Sequence, residues 1–118
     1  MKRETIKNHS DFLTPWKTPT ARGEIFIIKT KPAKNPGDGR YGVVATKKFF
    51  KLAVDRNRAK RLLRDWLRFY ERFMLPDVDY ILIARPEILK TARHPGRKEM
   101  RAALQKLAKI YTLNEKSE

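Results

Sequence analysis

The side chains of this chain that can do chemistry are mostly cationic, and they concentrate in one segment. Residues 47–72 carry ten Lys or Arg side chains and three acidic ones. Between residues 56 and 72, Arg outnumbers Lys by six to one. The planar guanidinium of Arg can donate two parallel hydrogen bonds to one phosphate, which the Lys ammonium does not match. This composition predicts that the segment binds a polyanion rich in phosphate.

Helical spacing places most of these cations on one side of a helix. At about 100° per residue they fall within roughly a third of the circumference, opposite a broad apolar arc. The stripe comprises Lys60, Arg61, Arg64, Arg68 and Arg72, with Asn57 near its centre. Cations one turn apart repel each other by a few tenths of a kcal/mol per pair, and only Asp65 and Glu71 can offset this within the helix. We therefore expect an anionic partner outside the chain.

Three other interpretations of the stripe are weaker. A solvated helix face normally carries compensating acidic residues, which are scarce here. A helix lying on a membrane would need the apolar arc that the predicted sheet also needs. A DNA-reading helix-turn-helix requires a short helix directly before the recognition helix, where this sequence has a strand and a loop. Polyanion binding remains favoured, although these residues alone do not specify RNA.

Candidate catalytic groups in the chain itself are few and dispersed. Hydrolysis of a phosphodiester needs several carboxylates around a metal ion, or a positioned acid and base. The 13 acidic residues are scattered apart from the pair Asp77 and Asp79, and Asp79 is interpreted as a turn or salt-bridge residue. His9 and His94 lie in loop-like contexts, and Cys is absent. The sequence predicts neither a catalytic residue nor a metal site in the protein.

The composition predicts one soluble domain in a reducing compartment. The chain has 118 residues, a formal net charge of +15 and 41% hydrophobic residues, which suffices for a core without disulfides. No apolar run approaches the ~20 residues that span a bilayer, and residues 1–10 lack the apolar stretch of a secretory signal. We expect a cytoplasmic protein with flexible ends at residues 1–8 and 113–118, and with neither a membrane nor a small-molecule partner.

The elements that hold the stripe follow from hydrophobic spacing and from Pro and Gly residues. The expected strands are 23–31, 40–46 and 79–85, the last apolar enough to be buried on both faces. Residues 18–22 are expected to form either an irregular stretch broken by Pro or a short edge strand. The expected helices are a short one around Phe12 and Leu13 that ends at Pro15, one at 55–73 capped by Asp55, and one at 98–111 after a loop at 93–96. Because a turn-rich loop at 35–39 joins them, strands 23–31 and 40–46 are expected to pair as antiparallel neighbours.

The order α-β-β-β-α-β-α predicts an α+β fold, a two-layer sandwich with a small, mostly antiparallel sheet. Helix 55–73 is expected to cover this sheet with its apolar arc. The arc consists of Ala59, Leu62, Leu63, Trp66, Leu67, Phe69, Tyr70 and Phe73. Trp66 lies at its centre and is expected in the core.

Within this helix the sequence resembles a known family. The stretch Arg56-Asn-Arg-Ala-Lys-Arg61, followed by Leu-Leu-Arg64 and preceded by Thr46-Lys-Lys48 and Ala53-Val54, resembles the Arg-Asn-Arg signature of the bacterial ribonuclease P protein subunit. Asp11-Phe12 with Trp16 is similar to the N-terminal helix of that family, and residues 79–85 are similar to its last strand. Together these segments span residues 10 to 107.

Three features depart from the usual pattern of the family. One additional residue stands between Lys48 and Arg56, where residues 49–52 replace a stretch that commonly has a Gly. Pro15 and Pro19 alter the approach to the first strand, and an expected extra loop at 90–96 lengthens the path to the last helix. None of these changes touches the Arg-Asn-Arg signature.

The resemblance implies a subunit of an RNA enzyme that is not itself the catalyst. In the family, a large catalytic RNA, ribonuclease P RNA, with Mg²⁺ held mainly by that RNA, removes the 5′ leader from precursor tRNA, and the basic protein binds both RNAs. The family fold includes an unusual left-handed β-α-β crossover. The implied contacts with the catalytic RNA are Lys47, Lys48, Arg56, Asn57, Arg58, Lys60, Arg61, Arg64 and Arg68, and the implied leader cleft is Phe12, Trp16 and an exposed sheet face with Phe26 or Ile28. The rival hypotheses are a structural RNA-binding protein of ribosomal type and a stand-alone nuclease.

Overall fold

The computed structural model describes residues 3, 5, 6 and 18–116. The strands are β1 (Thr20–Arg22), β2 (Phe26–Pro32), β3 (Tyr41–Val44) and β4 (Val78–Ala84). The helices are α1 (Ala53–Phe69) and α2 (Arg93–Lys116), and 3₁₀ turns occupy Glu71–Phe73 and Pro86–Lys90. The helix expected around Phe12 and Leu13 lies outside the described residues, so it stays a prediction.

The four strands form one open sheet in the order β1-β2-β4-β3. β2 pairs antiparallel with both β1 and β4, whereas β3 pairs parallel with β4. The predicted α+β class with a mostly antiparallel sheet is therefore confirmed. The expected pairing of β2 with β3 is wrong, because β4 lies between them. The strand with the most continuous apolar run takes the centre of the sheet, where both of its faces can be covered.

Helix α1 lies in the connection between two parallel strands. Because β3 and β4 run in the same direction, the chain must return to the starting end of the sheet between them. α1 occupies this return. The left-handed sense of the β3-α1-β4 crossover, implied by the family resemblance, stays a prediction.

Side chains alternate between the two faces of the sheet. In β2, Phe26, Ile28 and Thr30 are buried, whereas the odd-numbered residues between them are half-buried. Phe26 and Ile28 belong to the same core cluster as the buried residues of both helices. The Tyr111 hydroxyl of α2 donates a 2.8 Å hydrogen bond to the Thr30 hydroxyl. The helices therefore cover the face that carries the even-numbered residues of β2, and its odd-numbered residues lie on the opposite face.

The apolar arc of α1 packs against this sheet through its middle. Ala59, Leu63, Trp66 and Leu67 are buried, which confirms Trp66 as a core residue. Leu62, Tyr70 and Phe73 pack partly buried against the same cluster. The expectation that Phe69 joins the core is wrong, since its side chain is 48% exposed. At the helical spacing Phe69 lies at the edge of the arc, where the sheet no longer covers it.

The ends of α1 also differ from expectation. Leu52 is the N-cap, and its carbonyl accepts the N–H groups of Asp55 and Arg56 at 3.2 Å each. Asp55 therefore does not cap the helix. It stands in the first turn, where a carboxylate is favourable beside the positive end of the helix dipole. At the other end, α1 stops at Phe69, and a 3₁₀ turn follows after the cap residue Tyr70.

Helix α2 begins at Arg93, so the expected loop at 93–96 is wrong. Pro95 is tolerated because the first turn of a helix has no partner for its missing N–H. The N–H of Gly96 donates a 3.0 Å hydrogen bond to the Ala92 carbonyl. A Cβ at Gly96 would come well within 3.0 Å of the Trp66 indole. The Gly thus lets the first turn of α2 lie directly on the most central side chain of α1.

Asp79 is a fully buried ion-pair residue at the start of β4. Its carboxylate accepts hydrogen bonds from the Arg40 backbone N–H at 2.7 Å and from the Arg40 guanidinium at 3.0 Å. This confirms its interpretation as a salt-bridge residue. The pair joins the residue before β3 to the central strand, so it helps to align the parallel pair.

The described N-terminal residues extend this edge of the sheet. Thr5 forms a parallel bridge with Tyr41, and the Ile6 N–H donates a 2.7 Å hydrogen bond to the Tyr41 carbonyl. The Arg3 guanidinium lies 5.3 Å from the centre of the Tyr80 ring. Burial lowers the pKa of Arg3 and raises the pKa of Tyr80. Both perturbed groups belong to the packing at this edge and lie outside the basic stripe.

We expect Gly96→Ala to destabilise the protein, although Gly to Ala in a helix is usually favourable. The added methyl group has to displace the Trp66 ring, and overpacking of this kind costs about 1 to 3 kcal/mol. Chemical denaturation measures the loss. Gly23→Ala is the matched control, because its Cβ would meet other atoms only at ordinary contact distances. Equal unfolding free energies for Gly96→Ala and the wild type would contradict the proposed packing.

We expect Asp79→Ala to lower the free energy of unfolding by about 1.5 to 3 kcal/mol, because it removes the buried carboxylate that accepts hydrogen bonds from both the backbone N–H and the guanidinium of Arg40. Thermal and urea denaturation would measure the change. Asp38→Ala serves as the control, since Asp38 is exposed and surface substitutions usually stay within about 0.5 kcal/mol. A loss no larger than that of the control would show that the pair contributes little.

Candidate nucleic-acid interface

The exposed side of α1 forms a basic groove, here called the α1 groove. It is lined by Asn57, Lys60, Arg61, Arg64, Asp65 and Arg68. The structure thus brings together most of the residues that the sequence assigned to binding of the catalytic RNA. Burial of Leu63, Trp66 and Leu67 turns one side of the helix to the core, and the intervening positions face the opposite way.

The cations of the α1 groove have no partners among the residues that the structure describes. Within the described part of the chain, Lys60, Arg61, Arg64 and Arg68 form neither ion pairs nor side-chain hydrogen bonds. Asp65 is the one carboxylate among the lining residues. The guanidinium N–H groups are therefore available to an external acceptor, and the groove has a net positive charge. An RNA backbone supplies both the acceptors and the opposite charge.

Three other predicted RNA contacts lie outside the α1 groove. Lys47 and Lys48 are exposed in the turn that precedes α1. Arg56 donates hydrogen bonds to the Phe50 and Lys51 carbonyls at 2.9 and 3.2 Å. Its guanidinium therefore holds the loop that leads into the helix, a positioning role that the sequence did not reveal.

Arg58 and Arg72 also lie outside the α1 groove. Arg58 lines a separate groove between α1 and α2. The guanidinium of Arg72 lies 4.8 Å from the centre of the Phe73 ring and donates to the Phe69 carbonyl at 3.4 Å. The predicted stripe is thus continuous only as far as Arg68, because α1 ends at Phe69 and Arg72 lies in the 3₁₀ turn that follows.

The predicted leader cleft needs a correction. Phe26 and Ile28 are 2% and 0% exposed and lie under the helices, so the expectation that they line an exposed sheet face is wrong. Because side chains alternate along a strand, an error of one residue in assigning the faces of β2 exchanges its buried and exposed side chains. The sequence signal that could have prevented this error is Lys29, a cation that shares its face with Ile27 and therefore marks that face as the more exposed one. Phe12 and Trp16 lie outside the described residues, and their roles stay predictions.

The face away from the helices is formed by the odd-numbered residues of β2 and their neighbours. Ile27 lies opposite Ile83, and Lys29 lies opposite Ile81. Val44 of β3 lies beside Ile83. These residues, apart from the buried Ile81, are half-buried. The result is an apolar surface bordered by cations, here called the outer face: besides Lys29, Lys31 is the next residue of β2 on this side, and Arg22 of β1 lies opposite Ile27.

The described carboxylates and His94 do not form a catalytic cluster. Among residues 3, 5, 6 and 18–116, no three His, Asp or Glu side chains converge as metal ligands would. Asp77 accepts a hydrogen bond from the Gly37 backbone N–H, and Asp79 is paired with Arg40. His94 is exposed in the first turn of α2. None of the described helices has the length and apolar character needed to cross a membrane.

Comparison with known sequences points to one family. The sequence model of the Ribonuclease P family matches residues 1–108. The ribonuclease P protein component of Legionella pneumophila is 35% identical over 106 residues, which cover 89% of this chain and 88% of that protein. The corresponding protein of Lactobacillus johnsonii is 35% identical over 82 residues, which cover 69% and 67%. The ribonuclease P protein component of Bordetella avium is 41% identical over 63 residues, which cover 52% of each chain.

Solved structures show the same fold. The RNase P protein of Staphylococcus aureus superposes with a TM-score of 0.70 at 26% identity, over 93% of this chain and 96% of that one. The RNase P protein of Thermotoga maritima superposes with a TM-score of 0.73 at 24% identity, over 88% of this chain and 97% of that one. This second match shows similarity of the fold alone. Since the family match runs from residue 1 to residue 108 and includes the Arg56-Asn-Arg signature on α1, this chain belongs to the bacterial ribonuclease P protein family.

Proposed function

We propose that this protein is the RNA-binding subunit of ribonuclease P, which binds the catalytic RNA and the 5′ leader of precursor tRNA and so promotes removal of the leader. The observation that carries the proposal is the α1 groove. Its Lys and Arg side chains are unpaired within the described residues, so they repel one another until an anion binds. An RNA backbone relieves this repulsion and releases counterions, which favours binding strongly at low salt.

We assign the chemistry of cleavage to the RNA partner. The described carboxylates offer no converging set of donors for a metal ion, and Asp77 and Asp79 are engaged in hydrogen bonds that hold the sheet and its loop. Mg²⁺ would therefore be held mainly by the RNA, where it would polarise the scissile phosphate and activate water. The contribution of the protein is to bind and to orient the two RNAs.

The outer face is the surface we propose for the leader. Ile27, Val44 and Ile83 offer half-buried apolar side chains that tolerate any base, and Lys29 offers a charge for the backbone. Such a surface binds single strands without reading their sequence, as leaders of different tRNAs require. Phe12 and Trp16 remain the aromatic residues expected to stack on leader bases.

For the α1 groove, we expect the double variant Arg61→Glu/Arg64→Glu to abolish assembly with ribonuclease P RNA. The fold should stay intact, because both side chains are exposed. Each phosphate contact contributes about 0.7 to 0.9 to the slope of log affinity against log salt, so the slope should flatten by at least about one. Filter binding of a ribonuclease P RNA transcript over a salt series measures it.

The control for this test is Lys106→Glu with Lys109→Glu, an equal charge change at exposed positions of α2. If both double variants lose the same affinity, the overall charge and not the groove binds the RNA. Addition of excess ribosomal RNA separates the rival hypothesis, since a ribosomal-type protein would be titrated away and a ribonuclease P subunit would not.

For the outer face, we expect Lys29→Ala to weaken binding of precursor tRNA to the reconstituted enzyme and to leave binding of mature tRNA unchanged. Loss of one contact with a single-stranded leader should lower the salt slope for the precursor by about 0.7. Lys34→Ala, in an exposed loop, is the control. An equal effect of Lys29→Ala on both substrates would remove the outer face from the leader site.

A further inference from the structure

A second groove runs between α1 and the first turns of α2, here called the interhelix groove. Its charged lining comprises Arg58, Asp65, Arg68, Arg93 and Arg97, and its aromatic lining comprises the exposed Phe69 and the buried Trp66. Four guanidinium groups thus surround one carboxylate. The groove is neither the α1 groove nor the outer face, although Asp65 and Arg68 line both basic grooves.

Three of the four guanidinium groups of the interhelix groove have no partner in the described part of the chain that would explain them as structural, whereas the fourth, that of Arg97, lies against the Phe69 ring. Within the described residues, Arg58, Arg68 and Arg93 make no ion pair and no side-chain hydrogen bond. Arginines that hold this fold together do have such partners, as Arg56 donates to two carbonyls and Arg85 donates to the Gly23 carbonyl. The cations of the interhelix groove are therefore available to an external anion.

The groove also contains an exposed planar surface. The Phe69 side chain is 48% exposed, and the Arg97 guanidinium lies 4.0 Å from the centre of its ring. The Tyr70 ring meets Phe69 edge to face at 4.8 Å and so fixes its orientation. An arginine that lies against an aromatic ring presents a flat surface on which a nucleobase can stack, and its terminal N–H groups remain able to bind phosphate.

We infer that the interhelix groove binds a single-stranded segment of the RNA partner, with a base stacked on the Phe69–Arg97 pair and the flanking phosphates bound by Arg58 and Arg93. The inference rests on the proposed function and extends its RNA footprint around α1. RNA supplies both features that the groove calls for, anionic groups and planar rings. A second copy of this chain does not, because each copy carries a net charge of +15.

The first experiment compares two double variants. The groove variant carries both Arg93→Gln and Arg97→Gln, and the control, with an equal change in charge, carries both Lys106→Gln and Lys109→Gln. The probe is a ribonuclease P RNA transcript, and the readout is affinity over a salt series. The groove variant should lose about tenfold or more in affinity, with a salt slope lower by about one. The control should lose clearly less. Equal losses would overturn the inference, because they would reflect net charge alone.

The second experiment tests stacking and proximity without changing charge. Phe69→Leu should weaken RNA binding about fivefold or more through loss of the aromatic surface. Thermal unfolding of the variant checks that the protein is still folded. In parallel, p-azidophenylalanine in place of Phe69 should photo-cross-link to the RNA. The same group in place of Leu113, which is 55% exposed near the end of α2, should not. Equal cross-linking from both positions, or none from Phe69, would overturn the inference.

The Arg61→Glu with Arg64→Glu variant separates this inference from the proposed function. If that variant loses RNA affinity while the Arg93 and Arg97 variant binds like the wild type, the interhelix groove is not an RNA site and the proposed function stands. If the wild-type protein itself does not bind the transcript, both proposals fall.

Discussion

Burial of the apolar side of α1 is the interaction on which the rest of the structure depends. Leu63, Trp66 and Leu67 pack into the core formed with the sheet and α2, and Gly96 brings the first turn of α2 onto the Trp66 ring. A helix that commits one side to the core must present the other to solvent. The cations of the α1 groove are therefore held in position by hydrophobic packing. Within the described residues, they form no ion pair that would hold their side chains against the protein surface.

The central position of β4 has a comparable influence on the sheet. Six of its seven residues are buried, which fits a strand that is paired along both of its edges. β2 and β3 pair with it from opposite sides, and the buried Asp79 aligns β3 through Arg40. This arrangement turns the even-numbered residues of β2 toward the helices. It leaves Ile27 and Lys29 on the outer face, which we propose for the leader.

The arginines of this protein divide into two groups with different physical tasks. Arg40, Arg56 and Arg85 donate to carboxylate or carbonyl groups and stabilise loops and strand ends. The arginines that line the two basic grooves have no such partners within the described residues. Unpaired cations at close spacing destabilise the isolated chain by a few tenths of a kcal/mol per pair. This cost is reversed when phosphates bind, so the same repulsion that weakens the free protein favours its complex.

The sequence by itself determined the fold class, the basic stripe, the core position of Trp66 and the family, because periodicity and the Arg56-Asn-Arg signature are local properties of the chain. It did not determine strand order, the start of α2, or which face of β2 is covered. Phe26 and Ile27 are equally apolar neighbours; Lys29 is the one local signal for the Ile27 face, and packing against the helices is what buries Phe26. The interhelix groove likewise joins Arg58 and Phe69 to Arg93 and Arg97 across two helices. Contacts between distant segments depend on tertiary packing, which no local pattern encodes.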